Sequence, residues 1–120
     1  MSADIIMPLA MISGTGVVFV ALGIPLWLRR VKPNHLYGFR IRATLQDEAI
    51  WYEVNALSGK QLVFMGAVCL LMGIFIFPMH LDKAGAERLL LGWCVFLMAA
   101  TVWLTISGYI LARRMLRERE

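Results

Sequence analysis

Three long apolar runs constrain the fold of this 120-residue chain more than any other feature of its sequence. The runs cover residues 5–28, 61–79 and 89–112, and none of them contains a charged side chain. An α-helix rises about 1.5 Å per residue, so about 20 apolar residues cross the roughly 30 Å hydrocarbon core of a bilayer. We therefore predict an all-α integral membrane protein with three transmembrane helices.

The composition argues against a soluble domain and against a nucleic-acid-binding protein. Hydrophobic residues make up 60% of the chain and the mean hydropathy is +0.71, which is more apolar surface than a short soluble chain buries. The formal net charge is +4, but the basic residues lie beside the apolar runs, where they set topology and meet anionic lipid. We expect membrane lipids as partners and no direct contact with nucleic acid.

The distribution of Lys and Arg predicts the orientation of the chain in the membrane. Asp4 precedes the first run and no Lys or Arg does, whereas a basic cluster begins after the run at Arg29. This pattern argues against a cleaved signal peptide. The connection at 80–88 has no basic excess, and the tail at 113–120 is basic. The positive-inside rule therefore predicts an outside N-terminus and an inside C-terminus.

The polar connection over residues 33–60 is predicted to be cytoplasmic and to carry a short amphipathic helix at 45–58. Thr44 is expected to be the N-cap of this helix, with Asp47 as the capping-box acid, and Gly59 suits its end. Its apolar side chains share one face, so we expect the helix to lie in the headgroup region or to dock on a partner. That face consists of Ile50, Val54 and Leu57.

Glycines repeat every seven residues in the first two runs, at Gly16 and Gly23 and again at Gly66 and Gly73. Small residues let helix backbones approach closely in a lipid environment, where no hydrophobic effect drives association. We interpret this stripe as the contact between the first and second helices. Contact with another copy of the chain is the alternative, so a homo-oligomer or hetero-oligomer remains open.

The sequence carries no recognisable catalytic or metal-binding constellation, so we expect no enzyme activity, no cofactor and no metal. His35 and His80 are predicted on opposite sides of the membrane, and Ser58 has no His and acid partners in sight. Cys69 and Cys94 lie inside apolar runs, where we expect them to act as small packing residues. Transport is also disfavoured, because ion paths place ionisable residues within the membrane.

Arg40 is the polar residue that we expect to matter most. Its planar guanidinium can bind a lipid phosphate at two points, or pair with Glu48 or Glu53. The structural alternative is that Arg40, Asn34 and Asn55 tie the connection to the amphipathic helix through hydrogen bonds.

Seven spaced residues in and after this connection give the pattern N-x3-G-x-R-x3-T-x6-W-x3-N-x3-G. The pattern resembles the SdpI family of bacterial immunity-protein-like membrane modules, over roughly residues 33–75. The residues of this pattern in the chain are Asn34, Gly38, Arg40, Thr44, Trp51, Asn55 and Gly59.

The resemblance implies a multi-pass protein of the bacterial cytoplasmic membrane. It also implies protection against a secreted peptide toxin, or relay of the toxin's presence to a cytoplasmic regulator. A peptide toxin and a cytoplasmic regulator are therefore the partners that the resemblance suggests. The alternative function is that of a small structural or lipid-contacting subunit of a larger membrane complex.

Overall fold

The computed structural model describes residues 3–119, which form four α-helices and no strand. Three of the helices are long and apolar enough to span a membrane, so the predicted all-α membrane class with three spans is confirmed. In chain order the helices are α1 (Ala3–Trp27), α2 (Arg42–Gln46), α3 (Glu48–Ile76) and α4 (Lys83–Arg117).

The helix α3 is central and packs against both of the other long helices. Gly16 of α1 lies against Gly66 of α3, and Gly23 lies against Gly59, so these two helices are antiparallel. After the short connection at 77–82 the chain turns back into α4. The connection between α1 and α2 and the C-terminal end of α4 consequently lie at the same end of the bundle.

Two separate clusters of buried apolar side chains hold α4 to the rest of the chain, one towards each end of the bundle. The cluster far from the α1–α2 connection contains the buried Cys69 of α3, whereas Cys94 of α4 is exposed on the outer surface. Cys69 therefore packs as expected, and Cys94 does not pack within the chain. The far cluster consists of Ile5, Ile12, Cys69, Ile76 and Trp93. The near cluster consists of Ile50, Val54 and Ala112.

The structure corrects the boundaries of the amphipathic helix predicted at 45–58. Residues 48–58 form the first turns of α3, which continues through Gly59 without a break into the second span. Gly59 does not end a helix, because its conformation is not left-handed and its role is a close contact with α1. The face that includes Ile50 and Val54 is buried against Ala112 of α4, within the same chain, and not among lipid headgroups.

The capping prediction also needs correction. Thr44 lies inside the short helix α2, and Asp47 is the N-cap of α3. The Asp47 carboxylate accepts hydrogen bonds from the backbone N–H groups of Ala49 at 3.0 Å and Ile50 at 3.3 Å. A carboxylate at this position also interacts favourably with the positive end of the helix dipole. Asp47 lies between α2 and α3 and caps both of them. Capping rules that consider one helix at a time do not predict a break at this position.

Candidate functional site

The connection at 28–41 folds into a compact loop that begins with a turn around Asn34. The Asn34 side-chain oxygen accepts hydrogen bonds from the backbone N–H groups of Leu36 at 2.9 Å and Tyr37 at 2.7 Å. Its amide nitrogen donates to the Lys32 carbonyl at 2.7 Å. Asparagine is favoured in such turns because its short amide side chain mimics a backbone turn. Asn34 therefore shapes the loop from within and does not reach α3.

Asn55 ties this loop to α3. Its side chain is 2% exposed, and its oxygen accepts a hydrogen bond from the backbone N–H of Phe39. Its amide nitrogen donates to the Trp51 carbonyl at 2.9 Å and more weakly to the Phe39 carbonyl at 3.4 Å. Leaving a buried amide unpaired costs about 1–3 kcal/mol, so this pairing holds the loop firmly in register with the helix.

Trp51 provides the second tie, because its fully buried indole N–H donates to the Val31 carbonyl at 2.8 Å. Gly38 passes directly over both tie residues with a φ of +117°. A Cβ on Gly38 would lie 2.7 Å from the Asn55 side-chain oxygen and 3.1 Å from the Trp51 ring. Glycine is therefore required here twice, by its backbone angle and by the closeness of the loop to α3.

Thr44 closes the loop on its C-terminal side. Its buried hydroxyl accepts a hydrogen bond from the Ile41 N–H at 2.9 Å, and the Phe39 carbonyl lies 2.9 Å from the same oxygen as an acceptor. We use the name loop lock for this set of tied residues. The loop lock consists of Val31, Gly38, Phe39, Ile41, Thr44, Trp51 and Asn55.

The predicted glycine stripe lies in the contact between α1 and α3. A Cβ on Gly66 would lie 2.7 Å from the Gly16 carbonyl oxygen, and a Cβ on Gly23 would lie 2.6 Å from the Gly59 carbonyl oxygen. Gly73, farther along α3, lies against a serine side chain of α1. Each pair leaves no room for a larger residue, so the backbones of the two helices touch directly. The motif residue Gly59 thus belongs to this contact.

Arg40 is exposed, and no acceptor within residues 3–119 lies within hydrogen-bonding distance of its guanidinium. Of the two possibilities for Arg40, the ion pair is absent: among the described residues it pairs with neither Glu48 nor Glu53, and Glu53 instead binds Arg29 at 2.5 Å. Arg29 lies two residues after the end of α1 and beside Glu53 of α3, whereas Arg40 lies two residues before the start of α2. Arg40 also makes no tie between the loop and α3, unlike Asn55.

Tyr37 anchors the tip of the loop to the end of α1. Its hydroxyl donates a hydrogen bond to the Leu22 carbonyl, and partial burial raises the pKa of the Tyr37 phenol above its ordinary value. An ordinary phenol, with a pKa of about 10, is already protonated at neutral pH, and the shift acts in the same direction, so Tyr37 remains a donor. Leu36, which directly precedes Tyr37, is 94% exposed, although the loop around it is held by several hydrogen bonds.

Two contacts that α4 and the tail after it make with residues 39–47 escaped the sequence analysis. The Arg119 guanidinium forms an ion pair with the Asp47 carboxylate, and the Phe39 ring covers Gly108, where a Cβ would lie 2.8 Å from the ring. An open cleft of about 730 Å³ lies beside them, between α2 and the end of α4, and Arg113 is among its lining residues. The basic tail indicated that such an ion pair could form, but it contains several arginines, so the sequence did not predict which of them binds Asp47.

An apolar cavity of about 320 Å³ lies behind the loop lock, between the three long helices. Leu26, Phe39 and Met65 contribute to its wall. The Ser58 hydroxyl also lines the cavity, is buried, and has no hydrogen-bond partner within residues 3–119. The cavity therefore offers apolar surface and one free polar group.

These features define a class: a helical membrane protein with three spans, in which the first connection is locked onto the start of the second span. The family model described as the SdpI/YfhL protein family matches residues 30–112. This match covers well over half of the chain, so the chain belongs to the SdpI/YfhL protein family. It also includes the whole loop lock, all of α3 and residues 83–112 of α4.

Comparisons with curated proteins and with solved structures gave no match. Membership of the SdpI/YfhL family supports an immunity-like membrane protein in general.

Proposed function

We propose that this chain is a non-enzymatic immunity module of the bacterial cytoplasmic membrane, which protects the cell against a peptide toxin or relays the toxin's presence. The observation that supports this proposal is the family match, because it covers the loop lock, all of α3 and most of α4. The loop lock holds the motif residues in a fixed arrangement. A recognition surface that is already ordered binds more tightly, because no conformational entropy is lost in ordering it when the ligand binds.

Within this proposal the apolar cavity behind the loop lock receives an apolar side chain of the toxin. The cavity wall is mostly apolar, and the unpartnered Ser58 hydroxyl supplies one hydrogen bond for orientation. Toxins that act on membranes carry apolar side chains, which suit this mostly apolar wall. Arg40 and Leu36, exposed on the tied loop, form a second contact surface at the bilayer boundary.

The test is a deletion strain challenged with secreted peptide toxins and complemented with the chain or its variants. Ser58→Leu narrows the cavity and removes its free hydroxyl, so it should lose protection, whereas Ala99→Leu, at an exposed position of α4, should retain it. Both variants should reach the membrane in equal amounts, as measured by immunoblotting. If wild-type chain gives no protection against any toxin, or if Ser58→Leu protects fully, this function is wrong.

Orientation is the second part of the proposal, with the N-terminus outside and the C-terminus inside. All Lys and Arg residues except Lys83 and Arg88 lie at the end of the bundle that carries the loop lock and the C-terminus of α4. The positive-inside rule places that end in the cytoplasm. In a background without the two native cysteines, an impermeant thiol reagent should label Ala84→Cys in intact cells and spare Gln46→Cys. The reverse labelling would overturn this orientation.

The second candidate function is that of a subunit in a larger membrane complex. It is favoured by α4, of which only 11% of the most apolar stretch is buried inside the chain. Affinity purification in mild detergent separates the two functions. A stoichiometric membrane partner would favour the subunit, and protection by the chain without such a partner would favour immunity.

A further inference from the structure

A groove runs along α3, with residues of α1 and α4 in its walls, and it shares no lining residue with the cavity behind the loop lock. It consists of two adjoining hollows of about 500 Å³ and 370 Å³, which share Leu57 and Lys60. The first hollow reaches Arg29 at the end of α1, and the second reaches Trp103 on α4. We call this feature the α3 groove.

The polar end of the α3 groove carries a positive charge that the protein leaves free. Arg29 and Glu53 neutralise each other through their ion pair at 2.5 Å. Lys60 is exposed, and its ammonium has no hydrogen bond or ion pair within residues 3–119. An anion placed beside Lys60 would therefore meet an unopposed cation.

The neighbouring residue Gln61 supplies a second unpaired group. Its side chain is 4% exposed, and its buried amide oxygen has no hydrogen-bond partner within residues 3–119. Gln61 lines the same hollow as Lys60. Burying an unpaired polar atom is costly, so a ligand that brings a hydroxyl to this position is favoured. A hydroxyl suits either end of an amide, because it both donates and accepts hydrogen bonds.

The other end of the groove is apolar and aromatic. The rings of Phe64 and Trp103 meet edge to face, with centroids 6.3 Å apart. The Phe64 side chain is 60% exposed and the Trp103 side chain 46% exposed, within helices that are long and apolar enough to span a membrane. Apolar chains of a ligand would lie against these rings.

We propose that the α3 groove binds one anionic phospholipid whose headgroup carries a hydroxyl, with the chemistry of phosphatidylglycerol. The phosphate lies beside Lys60, the headgroup hydroxyl pairs with Gln61, and the acyl chains run along Phe64 and Trp103. Basic pockets between membrane helices commonly bind anionic headgroups. This site is separate from the cavity behind the loop lock, so it stands or falls independently of the immunity function and of the orientation of the chain.

The test uses the purified full chain and native mass spectrometry, which counts retained lipids after exchange into defined lipid mixtures. Three probes are compared: phosphatidylglycerol, phosphatidylmethanol, which has the same phosphodiester charge but no headgroup hydroxyl, and phosphatidylcholine. Wild-type chain should retain phosphatidylglycerol most strongly and phosphatidylmethanol less. Equal retention of all three probes would overturn the proposal, and equal retention of the two anionic lipids would overturn the role of Gln61.

Variants assign the effect to the groove. Lys60→Gln should lower the preference for phosphatidylglycerol over phosphatidylcholine by about fivefold, the effect expected for one lysine near an anionic lipid. Lys60→Arg should restore the preference, because the cation is kept. Lys32→Gln is the matched control, since Lys32 is an exposed cation in the loop and does not line the groove. If Lys32→Gln lowers the preference as much as Lys60→Gln, general surface charge explains binding and the site is wrong.

Gln61→Leu tests the hydroxyl contact separately. It should leave the preference for anionic lipid intact and abolish the discrimination between phosphatidylglycerol and phosphatidylmethanol. Circular dichroism should show unchanged helix content in each variant. If a variant does not fold, the discrimination between phosphatidylglycerol and phosphatidylmethanol by the wild-type chain remains the test, because the two lipids carry the same charge, and equal retention of the two would overturn the proposed headgroup contact.

Discussion

The contact between α1 and α3 and the contact between α4 and the rest of the chain use different residues. In the first, glycines bring the two backbones together at Gly16–Gly66 and Gly23–Gly59. In the second, side chains meet in separate patches, and α4 buries only 11% of its most apolar stretch, against 39% for α3. Close backbone packing makes α1 and α3 one unit, whereas α4 is attached to that unit at a few places.

The loop lock connects these two regions. It is tied to α3 by Trp51 and Asn55, and it meets α4 where Phe39 covers Gly108. The near cluster of buried side chains lies at the same end of α4. The position of α4 at this end therefore depends on the loop, and damage to the loop lock should loosen α4 before it separates α1 from α3.

The largest effect should come from Gly66→Leu, which breaks the tighter contact. A large side chain at Gly66 meets the Gly16 backbone, and in a contact this close the overpacking should cost about 3 kcal/mol or more. Unfolding by sodium dodecyl sulfate, followed by circular dichroism, measures the loss.

Gly92→Leu is the matched control on α4, because a Cβ at Gly92 would meet nothing within 4 Å among the described residues. It should unfold as the wild type does. If the two glycine variants lose equal stability, the contact between α1 and α3 is packed no more closely than the surroundings of Gly92 on α4.

The second effect should come from Asn55→Ala, which cuts the main tie of the loop lock. The Phe39 N–H then loses its acceptor inside the protein, at a cost of about 1–3 kcal/mol. Hydrogen exchange at residues 37–41 should rise while exchange within α1 stays low. Asn34→Ala, which disturbs a partly exposed turn, should cost less. A larger loss for Asn34→Ala would show that the loop is held from within and not by α3.

A smaller effect is expected for Trp51→Phe. This change removes the indole hydrogen bond to the Val31 carbonyl and leaves a ring in place, which should cost about 1 kcal/mol for the lost hydrogen bond together with some lost packing. Trp103→Phe, on the exposed face of α4, should cost clearly less. Thermal unfolding in detergent measures the stability of both variants. A larger loss for Trp103→Phe than for Trp51→Phe would contradict this prediction.

The smallest effect on stability should come from Arg40→Ala, because Arg40 is exposed and forms no ion pair among residues 3–119. Surface substitutions of this kind usually change the free energy of unfolding by less than about 0.5 kcal/mol. A loss of protection with unchanged stability would mark Arg40 as a contact residue. Arg40→Lys should then lose protection as well if the contact needs the planar guanidinium. A stability loss of several kcal/mol would contradict the exposed position.

The sequence alone determined the number of spans. A long apolar run without charge has one favourable place, the hydrocarbon core, whatever the rest of the chain does. The seven-residue spacing of Gly16, Gly23, Gly66 and Gly73 similarly predicted the surface through which α1 meets α3, since spacing on a helix sets which residues share a face. These features are local, so composition and periodicity suffice to find them.

Only the tertiary structure decided which groups pair. Glu53 binds Arg29 and not Arg40, and Asp47 binds Arg119, which is 72 residues away. Many charges gather at this end of the bundle, so Coulomb attraction alone favours several pairings about equally. The choice among them depends on how α3 continues through Gly59 and on where the loop lock holds the chain, because a pairing requires two side chains to be brought within hydrogen-bonding distance.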